Sequence, residues 1–408
     1  MGAKTYLDVD VYTAARARIR TVYEAFGRNV SVAFSGGKDS TVLLHLAIEV
    51  ATEMDLLPVR AMFIDLEGQY EATIAHVTEM FDDPRVAGTW ICAHLNLRNA
   101  VSFSQPHWGC WDPEARDKWV RPMPTHPTVV SDTSAWPFWF ERMEFEEFVP
   151  AYEDWLGEQS GQRLAVLVGI RSDESLNRFR TFKRDNIGRW NGHKWTTEKS
   201  EHVVNCYPIY DWGTEDIWTY VGRSGCKYNR LYDYMWLQGT GIHDQRICQP
   251  YGDDQRVSLD LFHEIEPETW ERILNRVEGV NSGALYARSG FLGYRGGMGL
   301  PDGLKGHPRG WKVYTKLLLA GLPPDVAAQY REKFLVFMKW WRKNLKRCGH
   351  RRFLDEGVTG ATGKRLPSWQ RMALCILKND YWCHSLTFSQ TTRVHEKQKA
   401  LRAKYADI

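Results

Sequence analysis

The chain has 408 residues, 43% of them hydrophobic, with 53 Lys/Arg against 50 Asp/Glu and eight cysteines. That length suggests two or three domains, and no apolar run approaches the roughly 18 residues that span a bilayer. The opening MGAKTYLDVDVYTAARARIR has no apolar signal stretch and no CxxC pair occurs, so the expectation is a cytoplasmic protein without a disulfide framework or a membrane partner.

In chain order, Val9 to Phe26 has a helical pattern, and Asn29 to Phe34 is a short β-branched run that stops at two glycines. A helical period with Val42, Leu43, Leu46 and Val50 inward resumes from Asp39 to Met54. Strands are expected at Val59–Leu66, Thr89–Leu95, Leu164–Ile170 and Val203–Ile209, with a helix at Tyr70–Phe81 and another opened by Thr214, Glu215 and Asp216. Alternating strands and helices predict an α/β fold: a mainly parallel, twisted sheet with helices on both faces. The Trp- and Pro-rich stretch 102–140 is too long for a plain loop and reads as an insertion or lid. The expected division is 1–240 for this domain and 241–408 for a mostly helical, basic C-terminal domain. About 22 Lys/Arg and 8 Asp/Glu lie in 301–408, which leaves about 31 and 42 upstream.

The loop after the first strand, SGGKDS from Ser35 to Ser40, carries the chemistry. A GxxxxGK[ST] phosphate loop needs glycine where Val32 stands and a hydroxyl where Asp39 stands, so that motif is excluded. What remains is still an anion site: Gly36 and Gly37 let the backbone turn and approach phosphate oxygens, Ser35 and Ser40 add hydroxyls, and Lys38 adds a cation. The following helix aims its positive end at the same point. Asp39 either caps the helix or holds magnesium. A bare glycine turn before a helix is the alternative.

SGGKDS, VGIRSDESLNR (168–178) and PIYDWGTEDIWTY (208–220) together resemble the N-type ATP pyrophosphatases, the adenine nucleotide α-hydrolase-like, Rossmann-like family that includes the phosphoadenosine phosphosulfate reductases. The resemblance spans about residues 15 to 235. It implies that Ser35, Gly36, Gly37, Lys38, Asp39 and Ser40 bind the β and γ phosphates of ATP. Ala33, Phe34, Phe63 and Ile64 border adenine. Arg171 faces the α-phosphate, with Arg178 and Arg180 assisting. Lys38, Asp39 and Arg171 are the catalytic candidates and Asp39 the magnesium ligand. Asp65 and Glu67, at the end of the second strand, are either part of the nucleotide and metal site or a solvated loop, and an ion pair of Arg171 with Asp173 or Glu174 is its alternative role.

The implied reaction cleaves ATP between the α and β phosphates to adenylate an acceptor, in sulfur transfer or nucleic-acid modification of a phosphorothioation-like kind. A sulfonucleotide reductase is the first alternative, but it needs a thiol near the C-terminus, and the sequence there, KQKALRAKYADI, has none. Cys383, in NDYWCHSLTFSQ, lacks the expected neighbours. An iron–sulfur cluster is left open without support from spacing. Three later phrases, RICQPYGDDQR, RVEGVNSGALYAR and LPSWQRMALCILKNDYWCHSLTFSQ, resemble the extra domain of the immunoglobulin-binding regulator A subgroup. That subgroup implies a ParB-like partner, and so a nucleotide-sensing regulator is the second alternative. The helix expected at Tyr330–Arg347 sets Phe334, Phe337, Met338 and Trp341 against Lys339, Arg342, Lys343, Lys346 and Arg347, either a face that suits nucleic acid or the solvated side of a core-packed amphipathic helix. Oligomer formation is left open.

Overall fold

A computed structural model describes residues 8–183, 187–252, 259–281, 299–345, 353–357 and 366–388. Helix α1 (Val11–Phe26) opens where the Asp10 carboxylate accepts the Thr13 N–H at 2.8 Å, and it buries Ala15, Ile19, Val22 and Tyr23 at helical spacing. Removing each large apolar side chain of that stripe from water contributes about 1.5–3 kcal/mol. Strand β1 (Val30–Ala33) leads into α2 (Lys38–Glu53), β2 (Val59–Ile64), α3 (Glu71–Phe81) and β3 (Val86–Ile91). A two-stranded ladder, β4 (Leu95–Arg98) and β5 (His107–Cys110), stands apart from the main sheet. Then come β6 (Val129–Val130), α4 (Phe145–Ser160), β7 (Leu164–Val168), α5 (Leu176–Lys183), β8 (Thr196–Glu198) and β9 (Val203–Cys206). Four helices follow among the described residues: α6 (Thr214–Ser224), α7 (Leu231–Leu237), α8 (Leu259–Ile265) and α9 (Pro267–Arg276).

The main sheet has seven strands in the order β6-β3-β2-β1-β7-β9-β8, all parallel except the β8–β9 pair. The α/β expectation therefore holds. Right-handed crossovers place α2 and α3 on one face and α4 on the other, because the chain moves in opposite directions across the sheet from β1. β1 sits between β2 and β7, so the strand order reverses beside its C-terminal end, where such sheets leave a crevice. Helix α2 lies against this reversal and is buried nearly all round, from Val42, Leu43 and Leu44 to Val50 and Ala51.

Two sequence expectations shift. β3 runs Val86–Ile91 rather than Thr89–Leu95, since Val86 pairs with Val59 and the ladder ends when Ile91 meets Val130. The fifth expected strand stops at Cys206, where Tyr210 N–H donates to the Tyr207 carbonyl in a turn. The stretch 102–140, expected as an insertion or lid, supplies β5, two short 3-10 turns, and the edge strand β6.

Contacts sort the chain into two compact units. One takes in the chain up to Asn96, Gly109–Pro250 and Leu261–Arg276; the other takes Leu97–Trp108, Tyr251–Asp260 and the chain from Val277. The expected cut at 240 falls ten residues before Pro250. In the second unit α10 (Gly310–Ala320) starts where Asp355 accepts the N–H groups of Trp311 and Lys312 at 3.0 and 2.9 Å. Beside it, α11 (Pro324–Asn344) begins six residues before the expected basic helix, and its Val326, Tyr330, Phe334 and Phe337 form a core with Met372, Cys375 and Ile376 of α12 (Trp369–Leu377). Lys339, Arg342 and Lys343 are exposed, as expected, whereas Lys346 and Arg347 lie outside the described residues. No helix among the described residues is long and apolar enough to cross a membrane.

Glu153 on α4 is only 6% exposed, and burial pushes its carboxyl up to about 7 against the opposing charge of Lys199. Unfolding frees it to ionise at its ordinary 4.5, so the unfolded chain gains relative stability as pH rises from about 4.5 to 7. Glu153→Gln is therefore expected to stabilise the protein by about 1–3 kcal/mol at pH 8 and by little at pH 4.5, read by thermal melts at both pH values. Equal effects at the two pH values would contradict the assignment.

Candidate active site

The SGGKDS loop occupies the reversal point. Phe34, 2% exposed, continues the β1 ladder by donating its N–H to the Met62 carbonyl at 2.9 Å. Gly36 then takes φ +72°, a conformation that side chains other than glycine resist, and a Cβ there would lie 2.9 Å from Thr73 Cγ2. Gly37 is the N-cap of α2. The Ser35 and Ser40 hydroxyls meet at 3.0 Å, and Ser40 Oγ also accepts the Ser35 N–H and donates to the Gly37 carbonyl. This bracing holds the first turn of α2, including the Asp39 and Ser40 amides that a helix start leaves without intrahelical partners.

The charged groups converge on the same turn. Lys38, 5% exposed, has its ammonium 3.4 Å from the Asp39 carboxylate. From the loop after β7 comes Arg171, 3% exposed, whose Nε donates to Asp39 Oδ1 at 2.5 Å, while its other nitrogens reach the Trp212 carbonyl at 3.4 Å and Thr214 Oγ1 at 3.5 Å. The approach is close because residue 169 is glycine: a Cβ there would lie 3.0 Å from the Ser40 amide nitrogen. Two cations and one carboxylate leave a net positive charge at a buried helix start, the arrangement that favours a polyanion.

The alternative ion pair of Arg171 with Asp173 or Glu174 is not the one formed. Its side chain holds Asp39 rather than Asp173 or Glu174, and Glu174 instead accepts the Arg171 backbone N–H at 3.1 Å and pairs with Arg178. Arg178 is accordingly tied to the loop that carries Arg171, with its side chain 42% exposed. The side chain of Arg180 lies outside the described residues. Ala33 ends β1 opposite Met62, Ile64 ends β2, and the Phe63 ring faces the core, edge-on to Trp90 at 5.6 Å. Phe63 is 1% exposed and so packs inside the sheet.

Asp65 and Glu67 are not a solvated loop. Both are 0% exposed: Asp65 pairs with Arg121 and accepts Trp90 Nε1 at 2.8 Å, while Glu67 takes Arg276 Nε at 2.8 Å and the Trp111 amide at 2.7 Å. Their oxygens are filled by the fold. Among the described residues no group of three or more His, Cys, Asp and Glu could hold a metal ion. Magnesium on ATP asks for less, one or two carboxylates with phosphate oxygens and water, and the carboxylate at this loop is Asp39, its side chain 14% exposed. Cys383, the last cysteine, is 0% exposed in the core of the second unit, which does not suit a nucleophile.

Sequence reasoning passed over Asn229, Tyr232 and Gln245. Asn229 Nδ2 donates to the Gly36 carbonyl at 2.9 Å and Thr73 Oγ1 at 3.0 Å; Lys38 N–H donates to the Tyr232 hydroxyl at 2.9 Å; and Lys38 Nζ donates to the Gln245 carbonyl at 3.1 Å. They lie about two hundred positions from the loop, and KYNRLYDY has no spacing that signals it.

Comparison with known proteins finds matches to both parts of the chain. The phosphoadenosine phosphosulfate reductase domain matches residues 29–94 and 148–238, and a domain of unknown function, DUF3440, matches 239–350 and 350–398. The first match skips 95–147, the stretch that holds β4 to β6. Sulfate adenylyltransferase subunit 2 of Mycolicibacterium vanbaalenii is 27% identical over 52% of this chain and 60% of its own. Phosphoadenylyl-sulfate reductase from Candida auris, solved as a phosphate complex, is 14% identical with a TM-score of 0.31, covering 57% of this chain and 94% of that one. The uncharacterized protein YbdN of Escherichia coli is 36% identical over 98% of this chain and 97% of its own length. The chain thus belongs to the YbdN family, with a phosphoadenosine phosphosulfate reductase domain ahead of DUF3440.

Proposed function

We propose that the protein is an ATP pyrophosphatase that transfers AMP from ATP to an acceptor. One observation carries the reading: the complete SGGKDS loop stands at the sheet's reversal point with Arg171 locked onto Asp39. An acceptor oxygen or sulfur attacks the α-phosphorus, and the bond to the bridging oxygen breaks with its electron pair moving onto pyrophosphate. The charge that grows there meets donors already in place: the first-turn amides of α2, Lys38, and the hydroxyls of Ser35 and Ser40. Arg171 orients Asp39 and adds positive charge beside the α-phosphate. Magnesium, when bound with ATP at Asp39, neutralises phosphate charge. Asp65 enters this scheme by fixing the end of β2, which borders the adenine. Incorporation of labelled pyrophosphate into ATP in the presence of the acceptor tests the reading, and its absence with every acceptor that elicits AMP would count against adenylation.

The acceptor class that best suits the second unit is a nucleic acid. Along α11, Arg331, Lys339, Arg342 and Lys343 are exposed, and Trp340 stands 57% exposed among them. Changing Lys339, Arg342 and Lys343 to glutamine is expected to weaken binding of an oligonucleotide and to reduce the slope of log affinity against log salt by about 2. An unchanged slope would point to a solvated face.

A further inference from the structure

Two of the donors assigned to pyrophosphate are already in use. The Lys38 amide, in the first turn of α2, gives its proton to the Tyr232 hydroxyl at 2.9 Å, and the Lys38 ammonium gives one to the Gln245 carbonyl at 3.1 Å while lying 5.3 Å from the centre of the Tyr232 ring. A Cβ on Gly37 would stand 3.3 Å from the same hydroxyl. The segment that delivers these groups is continuous: Asn229 anchors its start to the Gly36 carbonyl, α7 carries Tyr232, and Gln245 closes its end with its side chain bonded to the Tyr232 and Thr240 carbonyls. Tyr232 is 3% exposed and Gln245 2%, so neither oxygen has bulk water as an alternative partner. Both acceptors are neutral. A phosphate oxygen makes a charge-assisted bond to the same donors, roughly twice as strong, and can therefore replace them.

We propose that Tyr232 and Gln245 are internal occupants of the phosphate site, and that ATP binds by displacing them, moving the 229–245 segment off the loop. This rests on the assignment of SGGKDS to pyrophosphate. Tyr232 is then a positioning residue that raises the threshold for binding: a ligand must offer enough negative charge to take over both the Lys38 amide and its ammonium. Weakly charged anions do not, and polyphosphates do.

The test compares wild type with Tyr232→Phe, which keeps the ring and removes the hydroxyl, for binding of magnesium pyrophosphate by calorimetry. The variant leaves the Lys38 amide without an acceptor in the free protein, so it should bind pyrophosphate about five- to tenfold more tightly. A residue with a merely structural role would, when changed, leave affinity equal or lower, and that result with native circular dichroism overturns the proposal. Hydrogen exchange on the wild type gives a second readout independent of the variant's folding. Pyrophosphate should speed exchange in 231–245 while slowing it in 36–41, and an unchanged 231–245 rules out displacement. Wild type that forms AMP from ATP while Tyr232→Phe binds pyrophosphate no better refutes only the internal occupant. Failure of both proteins to bind ATP and pyrophosphate refutes the phosphate-loop assignment as well.

Discussion

Lys38→Ala is expected to lower AMP and pyrophosphate formation from ATP by about two to three orders of magnitude, the loss that follows removal of one preorganised charge-stabilising donor. The effect should fall mainly on turnover, because the ammonium meets a charge that grows as the bond to the α-phosphorus breaks. Burial makes the contribution large: Lys38 is 5% exposed, and the neighbouring Asp39 is already engaged by Arg171, so little water screens the ammonium. Steady-state kinetics with α-labelled ATP reads the split. A rise in KM with unchanged kcat would show that Lys38 only binds the ground state. Asp39→Ala should also abolish turnover, yet retain pyrophosphate binding, since it removes a carboxylate and leaves two cations.

The second large effect lies in stability. Arg121→Ala is expected to cost about 3–5 kcal/mol, because it strands the Asp65 carboxylate in a site with no solvent access. Asp65 would keep the Trp90 indole at 2.8 Å and the Glu67 amide at 3.0 Å, but two neutral donors do not replace a guanidinium. The Arg121 guanidinium also lies 5.1 Å from the centre of the Trp111 ring, so truncation removes packing as well. The double change Asp65→Asn with Arg121→Met should recover most of the loss, since no unpaired charge remains. Urea unfolding of the two variants checks this, and a double variant as unstable as Arg121→Ala would show that shape rather than charge dominates.

Much of the reductase-type domain was legible in the sequence because its signals are local. The β-branched run at Val30–Ala33 followed by SGGKDS specifies strand, turn and helix within twenty residues, and Gly36 takes the positive φ that its position demands. Arg171 was found through GIRSDES, but its partner was not: the pairing with Asp39 depends on β7 lying beside β1 and on the close approach at Gly169. Asp65 and Glu67 misled for a related reason. The end of a parallel strand is where ligands bind, and only the folded chain shows that Arg121 and Arg276 reach these carboxylates first. The two-residue strand β6 and the three-residue strand β8 are too short to leave a periodic pattern. Tyr232 and Gln245 carry no motif at all; distance along the chain hides them.

The central claim is that this loop holds a leaving pyrophosphate. Incubation with magnesium and ATP labelled at the α-phosphate, with DNA, RNA or sulfide as acceptor, separates the outcomes by the labelled product. AMP or adenylated acceptor, with an equal amount of pyrophosphate, is the predicted result. ADP with inorganic phosphate as the main products would place the cleavage at the γ-phosphate and contradict the account.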